Sequence, residues 1–172
     1  QAIAAATGAH ILAPTFNARI ARGSGRHAID IVPYSVDESV RLLAGTKHLV
    51  LVGTGEPVAF FAYPGKPGIV SPKDAQSHWL ARVEEDLPDA LARLAFELGC
   101  AKAAAPPPPL AHAGQSAAGT GAITPESAAL TLAALMPDGA ILVDEAITLR
   151  APFFAATKNA APHDWLQVPG GA

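Results

Sequence analysis

The sequence has little cysteine, little net charge and no long hydrophobic run. Cys100 is the only cysteine in 172 residues, which excludes an intrachain disulfide and a cysteine-based zinc site. The formal net charge is −3, so there is no electrostatic basis for binding nucleic acid or an anionic membrane surface. No apolar run approaches the roughly 20 residues of a membrane-spanning helix. These absences predict a cytoplasmic protein whose partners include neither nucleic acid nor a membrane.

What the sequence does have is hydrophobic residues in short runs. They make up 50% of the chain, which is enough for a packed core. Two continuous runs, His48–Val52 and residues 140–143, are each followed by a turn of small or acidic residues. Such runs are typical of strands buried on both faces of a parallel sheet. The predicted fold class is therefore α/β, a Rossmann-like layered parallel sheet with helices on both faces, plus a truncated second α/β unit.

Helix signals fill the segments around these runs. Ser35 and Glu38 have the spacing of a capping box, Asp86 precedes a leucine stripe, and Thr124-Pro125 opens a third apolar segment. The predicted helices are residues 2–7, a helix following Ser35, residues 86–98, residues 125–135 and residues 148–157. Short additional strands are predicted at residues 9–13 and 77–81.

A proline-rich segment divides the chain. Residues 101–122 contain four consecutive prolines, followed mainly by alanine, glycine and serine. Prolines favour an extended, semi-rigid spacer, and the small residues add flexibility. We therefore expect a first domain at 1–100, a linker at 101–122 and a second domain at 123–172. A piece of about 50 residues buries only about 60% of its unfolded surface, so we expect the second domain to be truncated.

The segment between residues 55 and 73 is predicted to be an ordered, functional loop. It holds four prolines and three glycines, which rule out a long helix. Phe60, Phe61 and Tyr63 form an aromatic cluster within it. Aromatic clusters of this kind lie in a core or at an interface, and we expect an interface between domains.

The order of these features resembles that of a known enzyme family. The run from Gly55 to Pro67 reads GEPVAFFAYPGKP, and Ile123-Thr-Pro-Glu126 and Ile141-Leu-Val-Asp-Glu145 follow the linker. Over essentially the whole chain, this order is similar to the central domain and the start of the third domain of thiamine-diphosphate-dependent enzymes. The resemblance is to acetolactate synthase large-subunit homologues, near benzoylformate decarboxylase. It implies that 1–100 is a central domain without its N-terminal start, and that 123–172 begins the C-terminal diphosphate-binding domain.

The resemblance also implies a function for the parent protein. It would be a lyase or transferase that uses thiamine diphosphate and magnesium on a 2-oxo acid, as a carboligase or a decarboxylase. The family's activating glutamate and its Gly-Asp-Gly metal motif are not in this sequence. The chain is therefore expected to be an inactive, structural fragment with no catalytic residue and no metal ligand of its own. Its expected partners are the other domains of the parent, within a homo-oligomer, either a dimer or a tetramer.

Four residues match family positions that border the cofactor. They are Glu145 and Thr148 after the second predicted strand, and Gly170 and Gly171 near the end of the sequence. Thr148 would donate its hydroxyl to phosphate, with the amino end of the following helix assisting. The competing interpretations are that Thr148 is only an N-cap, that Asp144-Glu145 is a solvated turn, and that the glycines are a flexible tail.

The sequence also leaves a second function open, that of a non-catalytic Rossmann-like module binding NAD or a flavin. Gly53-Thr54-Gly55 follows a predicted strand, as in dinucleotide-binding turns, and some relatives bind FAD on the central domain. The full fingerprint needs a third glycine where Val58 stands, and Pro57 complicates a helix start. A purely structural or assembly domain is a third possibility. The six histidines are scattered, and no pair has the chain spacing of a metal site.

Overall fold

A computed structural model describes residues 1–27, 29–101, 118–146 and 148–167. In chain order its elements are α1 (Ala2–Thr7), β1 (Leu12–Ala13), β2 (Arg19–Arg22), β3 (Asp30–Ile31), α2 (Val36–Leu43), β4 (His48–Val52), β5 (Gln76–Ala81), α3 (Leu87–Glu97), α4 (Pro125–Leu135), β6 (Ala140–Asp144), α5 (Arg150–Ala156), a 3-10 turn (Thr157–Asn159) and β7 (His163–Gln167). Most of the predicted linker, residues 102–117, lies outside the described residues, as do Gly170 and Gly171.

The described chain forms two compact units. Unit 1 contains Gln1–Thr15 and residues 30–101, and unit 2 contains Phe16–Ile29 and the residues from 118 onward. The sequence had placed 16–29 in the first domain. This segment instead carries β2, which pairs with β7 near the other end of the chain. Whether the two units correspond to the domains of the resembled family stays a prediction.

Unit 1 is built on two pairs of parallel strands. β1 pairs with β3, and β4 pairs with β5 so that Leu49 lies opposite Ser77. The strand predicted at 48–52 is confirmed residue for residue. A cluster of Val36, Leu43 and Val70 is buried beside β4, with Leu49 packed against it. This apolar cluster is the core of unit 1.

The helix ends of unit 1 follow local chemistry with one exception. Gly8 and Gly45 have φ values of 72° and 77°, a backbone conformation that glycine adopts without strain. The Asp86 side chain accepts a hydrogen bond from the backbone N–H of Asp89, which caps α3. The capping box predicted at Ser35 does not form, because Ser35 makes no side-chain cap hydrogen bond. Ser39 instead donates its hydroxyl to the carbonyl of Pro33 at 2.6 Å.

Unit 2 contains a mixed three-stranded sheet. The strand order is β2-β7-β6, with β6 parallel and β2 antiparallel to β7. The α/β class is confirmed, and the predicted strand β6 does lie in a parallel pair, to which β2 adds an antiparallel edge. An antiparallel edge strand on a parallel pair is common in α/β folds. The sequence predicted β6, yet neither β2 nor the central strand β7.

The two faces of this sheet differ. On one face, Phe154 of α5 packs edge-on against Trp165 of β7, with ring centroids 5.1 Å apart. On the other face, Ile141 and Val143 of β6 are 66% and 61% exposed. Among the described residues, none covers these two side chains. None of the described helices is long and apolar enough to cross a membrane.

Candidate functional site

The candidate site is where the parallel strands of unit 2 end. Asp144 and Gln167 are register partners at the last positions of β6 and β7. The carboxyl ends of parallel strands are where α/β proteins gather ligands. The Gln167 side-chain oxygen also accepts a hydrogen bond from the backbone N–H of Asn17 at 3.1 Å. We call Asp144, Glu145, Thr148, Arg150 and Gln167 the carboxyl edge.

Asp144 fixes the loop that leaves this edge. It is 4% exposed, so the interpretation of a solvated turn is wrong for this residue. Its Oδ2 accepts a hydrogen bond from Arg150 Nε at 2.9 Å, and its Oδ1 accepts one from the backbone N–H of Ala146 at 2.9 Å. A paired, hydrogen-bonded carboxylate is the form in which a buried charge is tolerated. The loop carrying Glu145 and Thr148 is therefore tied at both ends.

Glu145 and Thr148 are exposed on this loop. α5 begins at Arg150, and its N-cap is Leu149, which makes no side-chain cap hydrogen bond. Thr148 is thus not the N-cap of this 7-residue helix, and the expected assistance from its amino end stays a prediction. The cofactor-facing role of these two residues stays a prediction, and Gly170 and Gly171 lie outside the described residues.

The carboxyl edge fits the implied cofactor only in part. Gln167 Nε2 is buried and has no hydrogen-bond partner among the described residues, so one amide donor is available there, and the Thr148 hydroxyl is a second. Both suit phosphate oxygens, but the exposed Glu145 carboxylate repels them. Asp144 is already neutralised by Arg150, and the described residues contain no group of three or more His, Cys, Asp or Glu that could hold a metal ion. Magnesium and the complete cofactor therefore do not fit these residues alone.

Sequence reasoning missed a row of polar side chains on the helix-covered face of the same sheet. Arg22, His163 and Gln167 are 5%, 1% and 4% exposed. The guanidinium of Arg22 lies 3.3 Å from the centroid of the Phe154 ring, a cation–π geometry. Alternation along β7 places polar His163 and Gln167 inward with Trp165. Hydrophobic periodicity gives no signal for a strand whose buried positions are polar.

His163 is held as a neutral ring. Its Nδ1 lies 2.7 Å from the carbonyl oxygen of Ala161, and because a carbonyl only accepts, Nδ1 carries the proton. Burial lowers the pKa of His163, and the nearby charge of Arg22 lowers it further, while the hydrogen bond to Ala161 acts in the opposite direction. A buried imidazole next to a guanidinium disfavours a second positive charge.

The Gly53-Thr54-Gly55 turn has a packing explanation. Gly53 has a φ of 62°, and a Cβ there would lie 2.5 Å from Leu87 Cδ1 at the start of α3. The chain then continues into a loop closed by a bridge between Val58 and Ile69, not into a helix. A dinucleotide site needs a helix amino end directly after the glycine turn. This geometry disfavours the NAD or flavin module.

The aromatic cluster of the same loop is exposed. Phe60 stacks edge-on with Phe61 at 4.7 Å between centroids, and Phe61 with Tyr63 at 6.1 Å. Phe60 and Phe61 are 56% and 54% exposed. A hydrogen bond with Tyr63 raises the pKa of Tyr34, which lies beside this cluster. The cluster is not core within the described residues, and its role as an interface stays a prediction.

Two histidines that are distant in sequence meet in unit 1. His48 Nδ1 and His78 Nε2 are 3.1 Å apart, across β4 and β5. The expectation that no histidine pair is placed for a metal rested on chain spacing, which does not reveal neighbours on adjacent strands. His10 is separate and pairs with Asp30 at 3.0 Å.

Comparison with known proteins gives one informative match. No protein-family model matches the chain. No solved structure matches it either. The chain is 41% identical over 170 residues to the protein named "Putative acetolactate synthase large subunit IlvX" of Mycobacterium tuberculosis. The match covers 99% of this chain and 32% of that protein, so the chain spans about a third of its relative's length. The chain is thus similar to a segment of a protein that carries the acetolactate synthase name.

Proposed function

We propose that this chain is a segment of a thiamine-diphosphate- and magnesium-dependent 2-oxo-acid enzyme, an acetolactate synthase-like carboligase or decarboxylase in the cytoplasm. One observation carries the proposal. The 41% identity extends over 99% of the chain and so includes both units. A match confined to one unit would support little more than a shared α/β architecture, which hosts many functions.

Within such an enzyme the chain has a positioning role. When bound, thiamine diphosphate supplies the electron sink that cleavage or joining of 2-oxo acids requires. The Asp144–Arg150 pair holds the loop that presents Glu145 and Thr148. We propose that these side chains face the cofactor in the complete protein, together with Gly170 and Gly171. The magnesium ligands belong to residues outside this chain.

By itself the chain is inactive in this proposal. The sequence contains no Gly-Asp-Gly, and the described residues bring together no group of three or more potential metal ligands. Without a metal to clamp the diphosphate, the reactive ring is not positioned. The chain therefore contributes a scaffold to a reaction whose reactive groups lie elsewhere.

The proposed partners are the other domains of the parent enzyme, in a dimer or tetramer. The exposed cluster of Phe60, Phe61 and Tyr63 supports this assignment, because aromatic residues are enriched at protein interfaces. Ile141 and Val143 on the open sheet face of unit 2 also support it, because neighbouring exposed apolar side chains mark interaction surfaces.

A chimera tests the proposal. The matched 170-residue segment of the Mycobacterium tuberculosis relative is replaced by this chain, and thiamine diphosphate with Mg²⁺ is titrated calorimetrically. We expect the chimera to bind the cofactor as the unmodified relative does, and Thr148→Ala in the chimera to weaken binding. The isolated 172-residue protein should show no saturable binding and no consumption of pyruvate.

Two results would contradict the proposal. One is a folded chimera, with circular dichroism matching the relative's, that has lost cofactor binding while the relative retains it. The other is tight cofactor binding or 2-oxo-acid turnover by the isolated chain. Ala146→Gly in the chimera is the matched control, since this neighbouring side chain offers no polar group to a phosphate.

A further inference from the structure

An exposed histidine pair on unit 1 has the geometry of a chelating site. His48 lies on β4 and His78 on β5, and both are exposed. Val50 is the register partner of His78, and His48 precedes Val50 by two residues. The two imidazoles therefore stand diagonally on one face of the strand pair, because side chains alternate along a strand.

The separation of the two nitrogens suits a shared metal ion. His48 Nδ1 and His78 Nε2 are 3.1 Å apart. Two nitrogens that each lie about 2.0–2.1 Å from one ion are about 3.3 Å apart in a tetrahedral site and about 2.9 Å apart in a square-planar one. The observed separation falls between these values, so small rotations of two exposed rings suffice.

The alternative is that the two nitrogens share a single proton in a hydrogen bond. An exposed hydrogen bond between two neutral rings contributes little net stability, because each ring can bond to water instead. A metal ion is bound more strongly by this pair than by a single histidine, because the strand pairing holds both ligands in place before the ion binds. Lys47, the nearest cation along the chain, is ion-paired with Asp74 at 3.3 Å, which limits its repulsion of an incoming cation.

We propose that His48 and His78 chelate one divalent transition-metal ion on the exposed face of the β4–β5 pair. The site has two protein ligands, and water completes the coordination, because the described residues hold no group of three or more potential ligands. Imidazole suits Cu²⁺, Ni²⁺ and Zn²⁺, and the order of affinity places Cu²⁺ first. Mg²⁺ prefers oxygen ligands, so this site is distinct from the magnesium of the proposed parent enzyme.

Calorimetric titration of the untagged 172-residue protein with CuCl₂, NiCl₂ and ZnCl₂ tests the site. We expect one ion per chain, Cu²⁺ tightest, and no heat from MgCl₂. His48→Gln and His78→Gln should each weaken Cu²⁺ binding by at least about tenfold, because loss of one ligand removes the chelate. His27→Gln, which changes another exposed histidine, should leave binding unchanged. Both ring positions are exposed, and circular dichroism verifies that each variant is folded.

A spectroscopic readout separates chelation from scattered binding. Electron paramagnetic resonance of the Cu²⁺-loaded protein should show coupling to two imidazole nitrogens, and to one in either single variant. The proposal is overturned if Cu²⁺ binds both single variants as tightly as the wild type. It is equally overturned if the wild type binds no copper at millimolar concentration, in which case the pair only shares a proton.

Discussion

The two units bury different kinds of side chain. In unit 1 the buried cluster is apolar, with Val36, Leu43 and Val70 at 6%, 2% and 3% exposure. In unit 2 the largest fully buried side chains include Trp165 together with the polar His163 and Thr157. Both units are layered α/β arrangements of similar size. They differ in the type of side chain that each buries.

The contrast changes what holds each unit together. An apolar core is stabilised by the area removed from water, at roughly 25 cal/mol per Å². A buried polar group is tolerated at little cost when it has a hydrogen-bond partner, and a missing partner costs about 1–3 kcal/mol. His163 Nε2, Trp165 Nε1 and Gln167 Nε2 are buried without a hydrogen-bond partner among the described residues. Unit 2 therefore depends on packing around Trp165 to offset these unpaired groups.

The largest expected loss of stability is that of Trp165→Ala in unit 2, and Trp79 in unit 1 provides the comparison. Trp165 is 1% exposed and Trp79 is 48% exposed. Trp165→Ala should lower the free energy of unfolding by about 3–5 kcal/mol, because it removes a large buried ring and leaves a cavity. Trp79→Ala should lower it by about 1 kcal/mol or less. Urea unfolding followed by circular dichroism measures both, and equal losses would contradict the contrast between the two sites.

The next effect tests close packing in unit 1. Gly53→Ala should lower stability by about 2–4 kcal/mol, because it combines a left-handed φ with a clash against Leu87. Gly45 has a similar φ of 77° with no atom within 4 Å of an added Cβ. Gly45→Ala should therefore lower stability by only about 1–2 kcal/mol. Thermal unfolding of the two variants separates the cost of the left-handed backbone, which both share, from the cost of the clash, which only Gly53→Ala has. Equal losses of stability would show that Leu87 moves aside.

The same contrast explains which elements the sequence revealed. β4 could be predicted residue for residue, and α3 and α4 almost so, because apolar periodicity and caps coincide there. β7 could not be predicted, because its inward positions include His163 and Gln167. β2 was missed because a four-residue strand with arginine at both ends carries no apolar run. Whether a polar side chain is buried depends on residues that are distant in sequence, and a local sequence pattern does not reveal them.

The candidate site was predictable only in its location. The rule that ligands gather at the carboxyl ends of parallel strands pointed to the turn after β6. The sequence did not show that Asp144 is buried against Arg150 or that Gln167 ends the neighbouring strand, since the pairing of β6 with β7 is not visible in it. The His48–His78 pair was missed for the same reason, because its members come together only through the β4–β5 register.

His163 in unit 2 should make the stability of the protein depend on pH. The folded pKa of His163 lies below its ordinary value of 6.5, so the unfolded chain binds more protons between these two values. Stability therefore rises with pH in that window, is fully present above about pH 6.5, and falls as pH decreases. Denaturant midpoints from pH 8 to about pH 5 should show this slope. In His163→Asn, whose amide can replace the Nδ1–H donor to Ala161, the slope should be smaller; an unchanged slope would assign it to another group.

The smallest expected effect compares helix caps between the units. Thr124 in unit 2 accepts a hydrogen bond from the backbone N–H of Ser127, whose hydroxyl bonds back to the N–H of Thr124. Ser35 in unit 1 has the capping-box spacing but makes no such bond. Thr124→Ala should thus lower the free energy of unfolding by about 1 kcal/mol, and Ser35→Ala by a few tenths of a kcal/mol at most. Asp86→Ala, which removes a formed cap in unit 1, should match Thr124→Ala. If Ser35→Ala lowered stability as much as Thr124→Ala, Ser35 would form its capping hydrogen bond in solution. The capping box predicted from the sequence would then be correct.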